Sequence, residues 1–324
     1  MAKVKKLIPW VVLVVIAAFI PVLIKNTYYL TVIAQILIYT IAVYGLNYIT
    51  GMTGEMNLGQ AGIFALGAYT SGMLIIKYGW NPWLALIGSL IMGVVIGRLL
   101  GWPSLRVRGV YLALTTIGFA EIVRLVLNNM EWTYGTLGIK GIPQNFNVFG
   151  LIFKDQGGMF YIFLIFVVIA TAISLRIIKS RWGRSFKAVR DNLLGVESCG
   201  ISVSNVKITA FTLCAVFGTL AGSLYAHLMG YIHPMNFQFD MSVKFLMSMM
   251  LGGIGSIPGI IIGTVLVTAL PEILRFLGDY YWLVFSGIVM IFAIFRPWGI
   301  ISIVNAIGKM IKKKRPIEVE KEAL

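Results

Sequence analysis

Charge is what this chain has least of. Only 12% of its residues are Asp, Glu, Lys or Arg, against about 25% in ordinary soluble domains, and only 12 of the 324 residues are acidic. A water-soluble fold cannot hide 59% hydrophobic residues behind so few polar side chains, so soluble enzymes and scaffolds are excluded. A bilayer accepts the same composition because lipid is itself the apolar solvent. Cysteine is nearly absent, and Cys199 falls in a basic loop while Cys214 sits in an apolar run, so no disulfide framework is expected. The two histidines, His227 and His233, lack partners at metal-ligand spacing, and no metal site is expected. No G-x-x-x-x-G-K-[ST] run occurs, so ATP is not bound here through a phosphate loop. No convergent His/Asp/Glu or Ser/Lys set stands in the apolar runs, so no catalytic residue is named and enzymatic chemistry is not expected.

Long apolar runs fill the space that charge vacates, and the mean hydropathy is +0.89. A spanning helix needs about 20 apolar residues, and such runs lie near 7–24, 30–50, 60–76, 83–101, 110–128, 159–178, 208–229, 241–251, 259–276 and 282–295. The reading is an all-α polytopic membrane protein of about ten transmembrane helices. One membrane domain covers 1–308 and a basic tail covers 309–324. The run at 241–251 is short, either a span or half of a broken one. Lys3, Lys5 and Lys6 precede the first run like a signal-peptide flank, but no small-residue cleavage site follows and the run is long enough to span.

The net charge of +15 would suggest nucleic acid in a soluble protein; here it is read by position. With the N-terminus in the cytoplasm, alternation puts Arg98, Arg106, Arg108, the loop 179–207 and the tail inside, and leaves Lys25, Lys77, Arg124, Lys140, Lys154, Lys244 and Arg275 outside. Most of the 27 basic residues then face the cytoplasm, as the positive-inside rule requires, and both termini are cytoplasmic. No nucleic-acid partner is expected, and the basic tail is expected to lie along anionic lipid.

Four features carry mechanism. Glycine-rich breaks stand at 51–60, with Gly51, Gly54 and Gly59, and at 252–259, with Gly252, Gly253 and Gly255; each is either an unwound gate lining a pathway or a tight turn between helices. Small-residue faces, Gly62, Gly67, Ala68 and Gly72 on one run and Gly218, Ala221 and Gly222 on another, let helix backbones approach closely. Glu-Ile-x-Arg occurs twice near outer helix ends, around Arg124 and Arg275; it reads as an ion pair within a helix or as charge offered to an external docking partner. Finally, in the inner loop Phe186, Val189, Leu193 and Val196 recur at helical spacing, and Gly195 and Gly200 end the helix. Its apolar face is expected to rest on lipid or to enter a groove on another protein.

These residues also resemble a family. Gly51-x-x-Gly-Glu-Met-Asn-Leu-Gly-Gln60, the run Leu105 to Arg124, Gly183-Arg-Ser-Phe-Lys-Ala-Val-Arg-Asp-Asn192, Leu251-Gly-Gly-Ile-Gly-Ser256 and Phe295-Arg-Pro-Trp-Gly299 look like the permease subunits of branched-chain amino-acid ABC importers, of the LivM type. The match runs in order over nearly the whole chain. The resemblance implies a second homologous permease subunit, two cytoplasmic ATPase subunits carrying ATP and Mg, and an extracytoplasmic solute-binding protein, all in the inner membrane or envelope of a prokaryote. It implies that a coupling helix within 179–207 meets the ATPase through Gly183, Arg184, Ala188, Arg190, Asp191, Asn192, Gly200 and Ile201. Leu193 stands where the family commonly has an acidic residue.

Transport in such a machine is alternating access. Asn57, Gln60, Tyr111, Thr115 and Thr116 are the candidates for lining the pathway; Thr115 and Thr116 have as their alternative a bond to their own helix carbonyls. Relatives move urea, amides, aromatic acids or other neutral amino acids. An ion-coupled secondary transporter would need carboxylates deep in the bilayer, whereas Glu55, Glu121, Asp240 and Glu272 fall near run boundaries.

Overall fold

In lipid each backbone N–H and C=O must be satisfied within its own segment, so crossing segments are helices. The sequence supplies their ends. Asn26, Asn81, Ser180, Ser202 and Ser256 each accept a backbone N–H from the first turn of the helix that follows. Gly79 and Gly230 close two helices at φ 66°, a left-handed conformation that a side chain would oppose.

The computed structural model describes residues 17–300 apart from 22, 25, 108, 149–150, 154–155, 281–282, 285, 288–289 and 291–298. Helix α1 (Thr27–Leu46) continues as a π-helical turn over Asn47–Thr53, and α2 (Gln60–Tyr78), α3 (Pro82–Gly101), α4 (Val110–Asn129) and α5 (Gln156–Lys179) follow. Two short helices, α6 (Arg181–Asp191) and α7 (Leu193–Ser198), lead into α8 (Val203–Met229), α9 (Phe239–Gly252) and α10 (Ile257–Ile273). Among the described residues, 7 segments are long and apolar enough to cross a membrane: α1 with its π turn, α2, α3, α4, α5, α8 and α10.

The expected spans at 7–24 and 282–295 fall largely outside the described residues. The one at 241–251 is α9, whose 14 residues reach about 21 Å, short of a hydrocarbon core of about 30 Å. The chain nevertheless returns along the bundle here. Successive helices alternate between a basic end, where α6 carries Arg181, Arg184 and Lys187, and a far end. Helix α8 finishes at the far end and α10 begins at the basic end, so the chain between must return. The rest of that return is a 3-10 turn at Pro234–Phe237, with Pro234 and Phe237 buried.

Helix α8 lies at the centre, packed by α1, α2 and α3. The close approach comes from glycine on all sides. A Cβ on Gly45 of α1 would sit 2.7 Å from the Cys214 carbonyl oxygen, one on Gly93 of α3 would sit 2.9 Å from Val216 Cα, and one on Gly67 of α2 would run into the Thr219 backbone. Gly222 of α8 approaches the backbone of Phe64 and Ala68 in return. Helix α5 joins α1 through buried hydroxyls: Tyr44 Oη lies 3.1 Å from Thr171 Oγ1, and Tyr48 Oη donates to Ser174 Oγ at 2.8 Å.

At the far end β1 (Ile139–Lys140) pairs antiparallel with β4 (Tyr231–Ile232), and β2 (Phe146–Val148) with β3 (Leu151–Phe153). Both histidines have structural partners there. His227 Nδ1 lies 3.0 Å from the Pro143 carbonyl and Nε2 lies 3.2 Å from Ser71 Oγ; a carbonyl only accepts, so Nδ1 carries the proton. By the same logic His233 Nε2 donates to the Thr136 carbonyl at 2.8 Å, and its Nδ1 accepts from Met235 N.

Candidate functional site

The break expected at 51–60 begins later than the glycines suggest. Gly51 lies inside the π-helical turn, and the chain leaves helical geometry only at Gly54, with φ 75°. A π turn widens the helix by one residue and is frequent at functional sites. Here it frees room for Asn47, whose Oδ1 occupies the space a Cβ on Gly51 would take. That Oδ1 accepts from Gly255 N at 3.0 Å, so the two glycine-rich breaks are tied to each other by one side chain. The Nδ2 of Asn47, also buried, finds no acceptor among the described residues. In the second break Gly253 and Gly255 take φ 120° and 80°. Gly252 packs on Gly259 and Gly263, closing α9 and α10 into a tight hairpin.

Next to the first break sits a buried ion pair that sequence reasoning assigned to boundaries and loops. Lys207 Nζ meets Glu55 Oε1, and the lysine side chain is 2% exposed. Lys207 lies in the first turns of α8 after the Ser202 cap. The signal was present: in a chain with 12 acids, one placed between glycines in an apolar run calls for a partner, because a buried charge without one is strongly disfavoured.

The amphipathic segment differs from the expectation in two ways. It is two helices, because Asn192 is extended at φ −157°, ψ 106° and its Oδ1 accepts from Gly195 N at 3.1 Å, capping α7. Its apolar stripe is covered largely by the chain itself, with Leu193 half-buried and lining the cavity beside the first break. Phe186, Val189 and Val196 are buried within this chain, with Phe186 packed on Tyr48 at 6.4 Å between ring centroids. The physical reason is the π turn and the start of α8, which present an apolar bed directly above α6. Gly183 permits this seat, since a Cβ there would lie 2.6 Å from the Ile177 carbonyl oxygen. Ala188 is half-buried against the core. Arg184, Asp191, Asn192, Gly200 and Ile201 are exposed, as are Trp182 and Leu194, the latter 77%. Arg190 is exposed as well, but its Nη1 donates to the Gly51 carbonyl at 2.9 Å, and its Cγ stands 3.0 Å from where a Gly54 Cβ would be.

Break, coupling segment and α9 together border a half-open cavity of about 520 Å³, lined by Thr53, Glu55, Asn57, Arg190, Leu246 and Met249 among others. Of the residues named for the pathway, Asn57 lines this cavity, whereas Gln60 is buried behind it, donating through Nε2 to the Ala42 carbonyl at 3.1 Å. Gly59 N donates to Asn57 Oδ1 at 2.9 Å. Thr116 Oγ1 accepts from Leu58 N at 3.0 Å and donates to the Ala113 carbonyl, which holds α4 against the break. A Cβ on Gly59 would lie 2.5 Å from the Thr116 carbonyl oxygen. Tyr111 and Thr115 point elsewhere. They share an exposed face of α4 with Leu114, Gly118 and Ile122, and Thr115 Oγ1 donates to the Tyr111 carbonyl.

At the far end the two Glu-Ile-x-Arg repeats diverge. Arg124 pairs directly with Glu121, Nε to Oε2 at 2.9 Å. In the second, Tyr28 stands between the partners: its hydroxyl donates to Glu272 and accepts from Arg275 Nη1 at 3.0 Å.

The comparisons with known proteins agree with one another. Residues 28–294 match the family model described as branched-chain amino acid transport system / permease component. The chain is 35% identical to the high-affinity branched-chain amino acid transport system permease protein LivM of Escherichia coli K12 over 82% of its own length and 68% of the relative's. The same figures hold for LivM of Salmonella typhimurium LT2. A more distant relative, the autoinducer 2 import system permease protein LsrC of Yersinia enterocolitica, is 28% identical over 71% of this chain and 64% of its own. No solved structure matches the chain. It is therefore a multi-pass membrane protein, and it belongs to the family of branched-chain amino acid transport permease components.

Proposed function

We propose that the chain is a permease subunit of an ATP-driven importer for branched-chain or other hydrophobic amino acids. It lies in the plasma (inner) membrane of a prokaryote, with the basic end and both termini in the cytoplasm. One observation carries the reading: a basic helix outside the spans, α6, is seated directly beneath the break that follows α1 and bonds to it through Arg190. Force applied to α6 from the cytoplasm therefore reaches the membrane helices. The chain has no phosphate loop, so two cytoplasmic ATPase subunits holding ATP and Mg supply that force. They dock on what α6 and α7 leave outward, Trp182, Arg184, Leu194 and Ile201.

The pathway runs along α4, opposite a second, related permease subunit. Helix α3 exposes Leu84, Ile87, Ile91, Val95 and Leu99, an aliphatic surface suited to lipid, while the exposed face of α4 mixes Tyr111, Thr115 and Gly118 with Leu114 and Ile122. A zwitterion needs such polar groups on its way. A solute-binding protein loads the far end near Arg124 and Arg275. The branched-chain cargo follows from the LivM relatives; a more distant relative is a permease named for autoinducer 2. The test is leucine uptake into vesicles holding all the subunits, with urea, amides and aromatic acids as competitors. Uptake that requires ATP and the binding protein is expected, and uptake by this chain alone without ATP refutes the proposal.

A further inference from the structure

The coupling-helix residues carried over by resemblance fall into two groups. Gly183 is buried and Ala188 half-buried, while the others are exposed; of the exposed ones, Arg190 reaches back over the inner surface of the bundle and donates to the Gly51 carbonyl. That carbonyl lies in the π-helical turn, where the shifted hydrogen-bond pattern leaves backbone acceptors available to side chains. The guanidinium stem passes Gly54, whose missing side chain and φ of 75° make the passage possible. Four residues further on, the other edge of the break is pinned by Glu55 to Lys207 at the root of α8. The segment between, Gly51 to Glu55, is thus held by α6 on one side and by α8 on the other. On the opposite face Asn47 of the same turn holds Gly255 of the second break.

We infer that Arg190 is a transmission residue inside this chain, not an ATPase contact: it carries movement of α6 to the π-helical turn, with the Glu55–Lys207 pair as the fixed point against which the turn opens. This deepens the importer reading and rests on it. The packing of Phe186 on Tyr48 holds α6 against the turn but is non-directional, so without the Arg190 link a displaced α6 would slide along it. With the link, the Gly51 carbonyl moves with the helix, and through Asn47 the second break moves too. The cavity at the basic end is bounded by these same elements, so its opening to the cytoplasm follows the position of α6.

The test uses the whole importer in vesicles and reads leucine uptake per ATP hydrolysed. Arg190→Met keeps the stem against Gly54 and removes the donor, and uptake per ATP is expected to fall on the order of tenfold, about 1.4 kcal/mol of lost coupling. Arg190→Lys, a donor with less reach, recovers part of it. Gly54→Ala displaces Arg190 from the membrane side without altering the outer surface of α6, and is expected to lower the same ratio. ATPase subunits must co-purify in normal amount with all three variants. An unchanged ratio in Arg190→Met and Gly54→Ala overturns the inference, and so does loss of the ATPase subunits from Arg190→Met alone, which would make Arg190 a docking residue. Absence of ATP-dependent uptake in the unsubstituted importer would instead refute the importer reading itself.

Discussion

Substituting Gly222 by alanine adds one methyl group to a helix that elsewhere tolerates many, yet it should be among the most damaging small changes in the chain. The new Cβ would lie 2.9 Å from Ala68 N and 2.9 Å from the Phe64 carbonyl carbon, and closer still to the Phe64 oxygen. All three are backbone atoms of α2, so no rotamer change relieves the contact. Carbon contacts are comfortable at about 3.5–4.0 Å, so the two 2.9 Å contacts alone oblige α2 and α8 to part by at least roughly 0.5–1 Å near the crossing. A gap of that size forfeits a quarter to a half of each affected contact of about 0.1–0.2 kcal/mol. Over about twenty such contacts the loss is about 1 kcal/mol, and with local strain the cost falls in the range of about 1–3 kcal/mol typical of overpacking. Gly118→Ala is the control, because nothing lies within 4 Å of a Cβ there and alanine is the better helix former by about 1 kcal/mol. The assay is thermal aggregation of the detergent-purified importer, Gly222→Ala against Gly118→Ala. Equal melting temperatures for Gly222→Ala and the unsubstituted chain would refute the claim that backbone contact sets the α2–α8 crossing.

Further outcomes follow from the basic end. Lys207→Met leaves Glu55 buried without its cation and should destabilise the chain by about 3–5 kcal/mol, with Glu55→Gln/Lys207→Met less affected than Lys207→Met; the yield of folded protein on size-exclusion chromatography reads this. Asn47→Ala removes the acceptor for Gly255 N and should cost about 1–3 kcal/mol, measured by the same melting assay, with cysteines placed in the two breaks cross-linking less readily. Leu194→Asp changes a residue that is 77% exposed, so stability should hold while co-purification of the ATPase subunits falls; unchanged co-purification would move the docking surface elsewhere.

Much of this was legible in the sequence, and the reason differs by element. The spans over α1 to α5, α8 and α10 could be read because lipid demands a length and a composition, and both survive without knowledge of neighbours. The small-residue faces could be read for a related cause: Gly67 and Gly222 have no use in a lipid-facing position, so backbone contact was the economical explanation. The π-helical turn could not. Nothing in Asn47 to Thr53 announces a wider turn, and the bond that accompanies it, from Gly255 N to Asn47 Oδ1, crosses a separation no local pattern encodes. Lys207 was misplaced for a similar reason, since its partner Glu55 belongs to another segment.

The coupling segment shows where periodicity stops being informative. Phe186, Val189 and Val196 at helical spacing state that one face of the segment avoids water; they do not say who covers it. Lipid, a partner groove and the chain's own core all satisfy the same stripe, and the choice among them depends on whether a matching apolar surface lies within reach of the short connection from α5. Here it does, in Tyr48 and the start of α8, so the stripe is spent inside the molecule. What remains for a partner is the other face, basic and studded with Trp182 and Leu194. A helix anchored by its apolar side to the moving parts, and offering its polar side to the motor, transmits force better than one whose grip on the membrane helices is weaker than its grip on the motor.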